Sequence, residues 1–293
     1  MASHNDRRTR RRIRKTMSIV FNAKDHSYKS NDGSEINWIS VTTLVSHFKK
    51  PFDAEKIAKK VCKNKRSKWY GFSPKDIISI WNAESERAVT LGTFYHNQRE
   101  ADLCSLASIE REGVTVPVFK PNDLANGIKT APPQKLEPGV YPEHMVYLKS
   151  AGICGQSDLV EVVNGKVNII DYKTNKEIKT ESYKDWEGVS EKLLSPVSTL
   201  DDCNFNHYSL QLSIYMYMIL KHNPKLQPGK MFIHHILFET EGEDRYGYPL
   251  TSYDDNGDPI VKDVVQMEIP YLKDEVTAIM HYLHDNKDKI KKK

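Results

Sequence analysis

The chain has 293 residues, enough to bury a sizeable core as one large domain or two smaller ones. At 39% hydrophobic and 28% charged it reads as a soluble globular protein, and its longest apolar run, LSIYMYMIL, is too short to span a bilayer. The net charge of +4 is uneven: residues 1–16 hold seven Arg/Lys and one Asp, leaving 36 basic and 38 acidic residues in the remainder, so any hold on nucleic acid by the body needs local patches.

Residues 1–16 (MASHNDRRTRRRIRKT) are expected to form a basic disordered tail, solvated or acting as a nucleic-acid-binding arm, with Met17 as an alternative start. A mitochondrial presequence fits the arginines but not the scarcity of Leu and Ala. No signal-peptide core follows, because MSIVFNAKDHSYKS turns polar almost at once. The chain is therefore expected to be intracellular: cytoplasmic, or mitochondrial if the host is eukaryotic.

Residues 17–116 predict a hairpin followed by helices. Residues 18–40 alternate around turn signals such as NDGS. SVTTLVSHFKKPFDAEKIAKKVCK predicts two short helices broken at Pro51. In KKVCKNKRSKWY, Lys65, Arg66 and Lys68 beside Trp69 and Tyr70 mix cations with aromatic platforms suited to single-stranded nucleic acid; the other reading is a solvated helix end. Ser73-Pro74 supplies a capping hydroxyl and a first-turn proline, starting a helix that runs to about residue 110, bent or split near Gly92. Six of the fourteen prolines fall within 117–142, which reads as an ordered loop or lid.

Residues 143–285 read as the core. Strands are expected at 143–149, 153–163, 166–174 and 231–239, with helices at 204–222 and 271–285 and a basic tail at 286–293. Helices, then a mostly antiparallel sheet, then alternating helix and strand place the chain in the α/β (α+β) class, as one domain with a helical N-terminal part. Cys62, Cys104, Cys154 and Cys203 show no C-x-x-C spacing, so free thiols are expected.

Asn164-Gly165 between two apolar runs is the signature of a two-residue type I′ hairpin turn. In that register Val163 faces Lys166, and Asp158 falls opposite Asp171. A side-chain period of two puts Lys173 on the same face and turns Tyr172 away. Opposed carboxylates among Val160, Val162, Ile169 and Ile170 repel each other and lose hydration. Either one aspartate is protonated or a cation bridges them. Mg²⁺ and Mn²⁺ prefer carboxylate oxygens and share such sites with phosphates, and Lys173 would hold a water or steady a phosphate. Taken alone, D-x-K is an ordinary surface ion pair.

Gly155-Gln156-Ser157-Asp158 followed by Asp171-Tyr172-Lys173 resembles the G-x-x-D … D-x-K core of the PD-(D/E)XK nuclease superfamily. LGTFYHNQRE resembles the G-T-x-x-H-x-x-x-E helix of its RecB-like branch, and YSLQLSIYMYMIL the Q-x-x-x-Y helix of that branch. The match covers roughly residues 90 to 220. In size and layout the chain is similar to phage or viral exonucleases of this branch, or to the mitochondrial genome maintenance exonuclease.

The resemblance implies a restriction-endonuclease-like mixed central sheet flanked by helices. It implies Mg²⁺- or Mn²⁺-dependent hydrolysis of DNA, by an exonuclease acting on free, often single-stranded ends in replication, recombination or repair. It implies His96, Asp158, Asp171 and the Tyr172 backbone carbonyl as metal ligands, with Glu143 of YPEHMVY as a further one. Asp158, Asp171 and Lys173 become catalytic residues, while Gln211 and Tyr215 would face the site and position Lys173 or a phosphate. Read without it, His96 is an ordinary helix histidine and Tyr215 a core residue.

No cysteine follows Cys203, so the iron–sulfur cluster of some RecB-like nucleases is not expected. Nor is there a Walker A pattern, so a motor would be a separate chain. DNA is the expected partner, with replication or recombination proteins beside it and no membrane. The alternatives are a structure-specific or restriction-like endonuclease, and a non-catalytic nucleic-acid-binding protein of the same fold.

Overall fold

The computed structural model describes residues 18–124 and 127–290; the basic tail expected at 1–16 lies outside them. The first elements follow the sequence closely. β1 (Ile19–Asn22) and β2 (Ser27–Ser30) form a hairpin, and β3 (Ile39–Ser40) leads into α1 (Val41–His47). Ser40 caps α1 by accepting the Thr43 N–H, and Asp53 caps α2 (Ala54–Val61) by accepting that of Lys56. Ser73 does the same for α3 (Pro74–Ser105) through Asp76. Each cap satisfies an amide that the first helical turn leaves without a partner.

Two expectations about α3 are corrected. It runs unbroken through Gly92, and it ends at Ser105 rather than near 110. β4 (Ser108–Arg111) and β5 (Val114–Pro117) follow as a hairpin whose turn residues, Glu112 and Gly113, both take positive φ (50° and 75°). Helical periodicity carries the reading past Leu106, whereas that left-handed pair reverses the chain.

The Pro-rich segment is also more ordered than a loop. It contains β6 (Asn122–Leu124), β7 (Ile128–Thr130) and the start of β8 (Gly139–Leu148). β7 pairs with β1 and β6, building a four-stranded sheet in the order β2-β1-β7-β6. Pro142 is accommodated within β8 directly before Glu143, which takes a φ of 48° and kinks the strand.

The central sheet is mixed. β9 (Ile153–Val163) and β10 (Lys166–Lys173) form the hairpin closed by Asn164 and Gly165, with φ of 50° and 74°. α4 (Asn204–His222) then crosses over to β11 (Gln227–Phe238), which lies parallel to β10. β12 (Thr240–Glu243) and β13 (Pro249–Thr251) make a separate hairpin. β14 (Val261–Ile269) closes the edge antiparallel to β11, and α5 (Lys273–Asn286) ends the fold. β12, β13 and β14 were not foreseen, because their residues are largely exposed and show little apolar alternation.

The strand order is β14-β11-β10-β9-β3, with β8 paired to the other edge of β9. The main core joins the sheet to α1, α4 and α5. A second cluster on the opposite face joins Tyr95 of α3, Val116 of β5, and Leu159, Ile170 and Tyr172 of the sheet. α4 is apolar almost all round, as a helix buried on several sides must be. Its buried Ser213 accepts the N–H of Leu272 at 2.9 Å, bringing in the start of α5. Ile290, in the stretch expected to be a basic tail, is 4% exposed within the main core. No helix among the described residues is long and apolar enough to cross a membrane.

Candidate active site

The chemistry-bearing residues gather where β9 and β10 part. Their ladder keeps the expected register from Lys166–Val163 to Ile170–Leu159, one step short of Asp171 and Asp158. There a side chain replaces the backbone: Asp158 Oδ2 accepts the Tyr172 N–H at 2.7 Å. With β8 along one edge of β9, the edge that β10 leaves is taken by β3, through Ile39–Ile153 and Ser40–Cys154.

β9 also changes face at this point. Ile153 lies in the α4 core and Gly155 lies against Tyr215 of α4, yet Val160 and Val162 belong to the same core. Strict alternation cannot join odd positions to even ones on one face. β8 changes face at the same place, since Tyr141 and Val146 share that core, while the β8–β9 register is the same on either side; the two strands turn over together at the unpaired Glu143 and Asp158. A left-handed conformation costs a non-glycine residue about 1–2 kcal/mol, and here it accompanies a local geometry that brings Glu143 and Asp158 to α3.

α3 delivers His96. Its Nδ1 lies 3.5 Å from Asp158 Oδ2 and 3.7 Å from Glu143 Oε1, and its Nε2 lies 3.2 Å from the Tyr172 carbonyl oxygen. Gly92, one turn earlier, permits the approach: a Cβ there would stand 3.2 Å from Thr174 Oγ1. Gln156 donates to Glu143 from the neighbouring strand. Burial opposes a charge on His96, but Glu143 and Asp158 outweigh it and raise its pKa to about 9. Burial pushes Asp158 up to about 8, reinforced by the charge of Asp171 and opposed by His96 and Lys173.

Asp171 and Lys173 complete the arrangement. Asp171 is 1% exposed and forms an ion pair with Lys173. Gln211 Nε2 of α4 lies 3.4 Å from Asp171 Oδ1, and the Lys173 ammonium lies 4.9 Å from the centroid of the Tyr208 ring. Burial disfavours the lysine charge, yet Asp171 and Asp158 hold its pKa above the ordinary lysine value. The relief expected from one bridging cation is thus divided: Lys173 faces Asp171, and His96 faces Asp158.

A metal ion fits these residues. Among the described residues, His96, Glu143 and Asp158 converge closely enough to hold one. Asp171 Oδ2 is already taken by the Lys173 ammonium, so this trio carries the fit. Carboxylate oxygens and a strand carbonyl suit a hard divalent ion. An open groove of about 560 Å³, lined by His96, Glu143, Gln156 and Lys173, leads to this point from α3 and Phe21 of β1.

Other expected residues lie elsewhere. Tyr215 is 2% exposed beneath Gly155, so the structure places it under the site rather than facing it. Trp69 is not an open platform: it is 7% exposed in a small cluster with Ala58 and Ile77, and its ring lies 6.1 Å from those of Trp81 and Tyr246. Lys68 is committed to the turn between β12 and β13, where its ammonium donates to the Tyr246 carbonyl at 2.6 Å. Lys65, Arg66 and Tyr70 are exposed. Sequence reasoning missed Gln156 and Tyr208; both lie inside quoted motifs, but neither residue type signals its partner.

Carboxylates on neighbouring strands, a lysine two residues after the second, and an imidazole from a preceding helix form a candidate metal site. The chain belongs to the PD-(D/E)XK nuclease superfamily, whose family model matches residues 129–292 and so begins after α3. Membership implies a metal-dependent nuclease with a nucleic-acid substrate. No curated protein matches the chain. A solved structure described as "Crystal structure of SSO0001" is similar at 15% identity, covering 89% of this chain and 80% of that one with a TM-score of 0.32.

Proposed function

We propose that the chain is a Mg²⁺- or Mn²⁺-dependent deoxyribonuclease of the RecB-like branch, an exonuclease working from DNA ends, single-stranded by preference, in replication, recombination or repair. The observation that carries this reading is the convergence of His96, Glu143 and Asp158 next to the Asp171–Lys173 pair, beside one open groove. The preference for ends is drawn from the RecB-like helices, Gly92 to Glu100 and Gln211 to Tyr215. An intracellular setting and the absence of an iron–sulfur cluster belong to the same reading.

His96, Glu143 and Asp158, with Asp171 and the Tyr172 carbonyl, would hold the ion. Once bound, such an ion lowers the pKa of a coordinated water and offsets charge developing on phosphorus. Lys173 stays protonated at neutral pH, so it acts as a fixed cation that orients Asp171 and donates to a water or phosphate oxygen. Gln211 steadies Asp171 from below.

The test is cleavage of end-labelled linear and covalently closed circular DNA, single- and double-stranded, with Mg²⁺ or Mn²⁺. Linear strands should be degraded and circles spared. Nicked circles would make the protein an endonuclease, and wild-type cleavage by Asp171→Asn would remove the site assignment.

A further inference from the structure

A second cavity adjoins the groove. It has a volume of about 290 Å³, lies between the chain after β5, strand β7 and the first half of β8, and shares Glu143 and Lys129 with the groove. Its wall is aromatic: the Phe119 ring stacks on Tyr141 at 4.7 Å with 13° between the planes. Phe119 remains 36% exposed. His144 meets the Tyr141 ring edge-on at 5.5 Å. That histidine is 3% exposed and lines the cavity. Lys120 and Lys135, both exposed, also line the cavity and place positive charge beside it.

We propose that this cavity receives the base of the nucleotide adjoining the bond to be cut, unpaired from any complementary strand. The inference rests on the nuclease reading and adds a substrate feature to it. The volume is at the small end of ligand pockets and suits one base rather than a base pair. A flat aromatic shelf suits a π-face of any sequence, and the imidazole supplies hydrogen-bonding capacity for a base edge. The lysines match a phosphate left outside, and the shared Glu143 sets the pocket next to the candidate metal ligands.

The test uses the full chain in metal-free buffer with single-stranded oligodeoxynucleotides, each carrying the fluorescent base 2-aminopurine at one position from the end. One position should show a several-fold fluorescence change that its neighbours lack. Phe119→Tyr should keep this signal. Phe119→Leu, which preserves an apolar contact with Tyr141 but removes the flat ring, should lose it. In a second arm with Mn²⁺, an abasic residue at that position should slow cleavage about tenfold in the wild type and far less in Phe119→Leu. Equal signals at every position, or a signal indifferent to Phe119→Leu, would overturn the pocket even if the strands are cut. Position-specific fluorescence with no cleavage of any DNA would instead overturn the nuclease reading and leave a base-binding cavity.

Discussion

His96 and Asp158 both bind protons more tightly in the folded chain than in the unfolded one. The imidazole rises from 6.5 to about 9 and the carboxyl from 3.8 to about 8. A raised folded value contributes stability that is complete below the unfolded pKa and is lost as pH climbs through the folded one. Metal-free protein should therefore lose melting temperature from about pH 4 to pH 9, first through Asp158 and above pH 6.5 through His96 as well, by about 2–4 °C for each kcal/mol forfeited. Metal ligation needs both groups deprotonated, so the apparent metal affinity should rise across the same window with net proton release. Calorimetry in two buffers of different ionisation enthalpy checks this; a buffer-independent heat would mean that neither group gives up its proton. Lys173→Ala should reduce cleavage by about 100-fold or more while DNA binding persists. It also leaves Asp171 buried without its cation, a loss of about 3–5 kcal/mol in other buried pairs, so circular dichroism must accompany the assay.

β9 and α4 depend on each other at Gly155. A Cβ there would fall 2.7 Å from a ring carbon of Tyr215, inside the main core where the ring cannot swing away. Gly155→Ala should destabilise the fold by about 1–3 kcal/mol in urea titrations, the usual range for overpacking. Tyr215→Leu in the same chain should recover part of that loss. No recovery would mean that glycine is required at 155 for the strand's own backbone. α3 has a simpler dependence, since Ser73→Ala removes the hydroxyl that caps it, with an expected cost of about 1 kcal/mol.

The molecule joins its N-terminal basic stretch to the end of β10 through one hairpin turn. Lys68 reaches the Tyr246 carbonyl, and Lys176 reaches that of Gly247 at 2.9 Å. Trp69 stabilises this junction, so Trp69→Ala should cost about 3–5 kcal/mol, as burying an indole implies, and should act on DNA only through stability. Exposed Lys65 and Arg66 behave differently. Replacing both by Ala should leave melting unchanged and flatten the salt dependence of single-strand binding by about 1.4 in log–log slope if each meets a phosphate. An unchanged slope would remove this patch from the substrate path.

Much of this was legible along the chain because the signals are local. Asn164-Gly165 specified the turn and hence the β9–β10 register, Ser73-Pro74 specified the start of α3, and apolar residues all round specified a buried α4. The order of elements indicated the α/β class but a mostly antiparallel sheet; the mixed sheet flanked by helices was implied by the resemblance to the nuclease superfamily. What sequence could not carry was direction. Whether a carboxylate turns toward α3 or α4 depends on β8 and β9 turning over together at a left-handed Glu143, which no local signal announces. Whether Trp69 is a platform or a core residue depends on a hairpin nearly 180 residues further on. Periodicity tells a residue which face of its own element it occupies; only packed neighbours decide what that face meets.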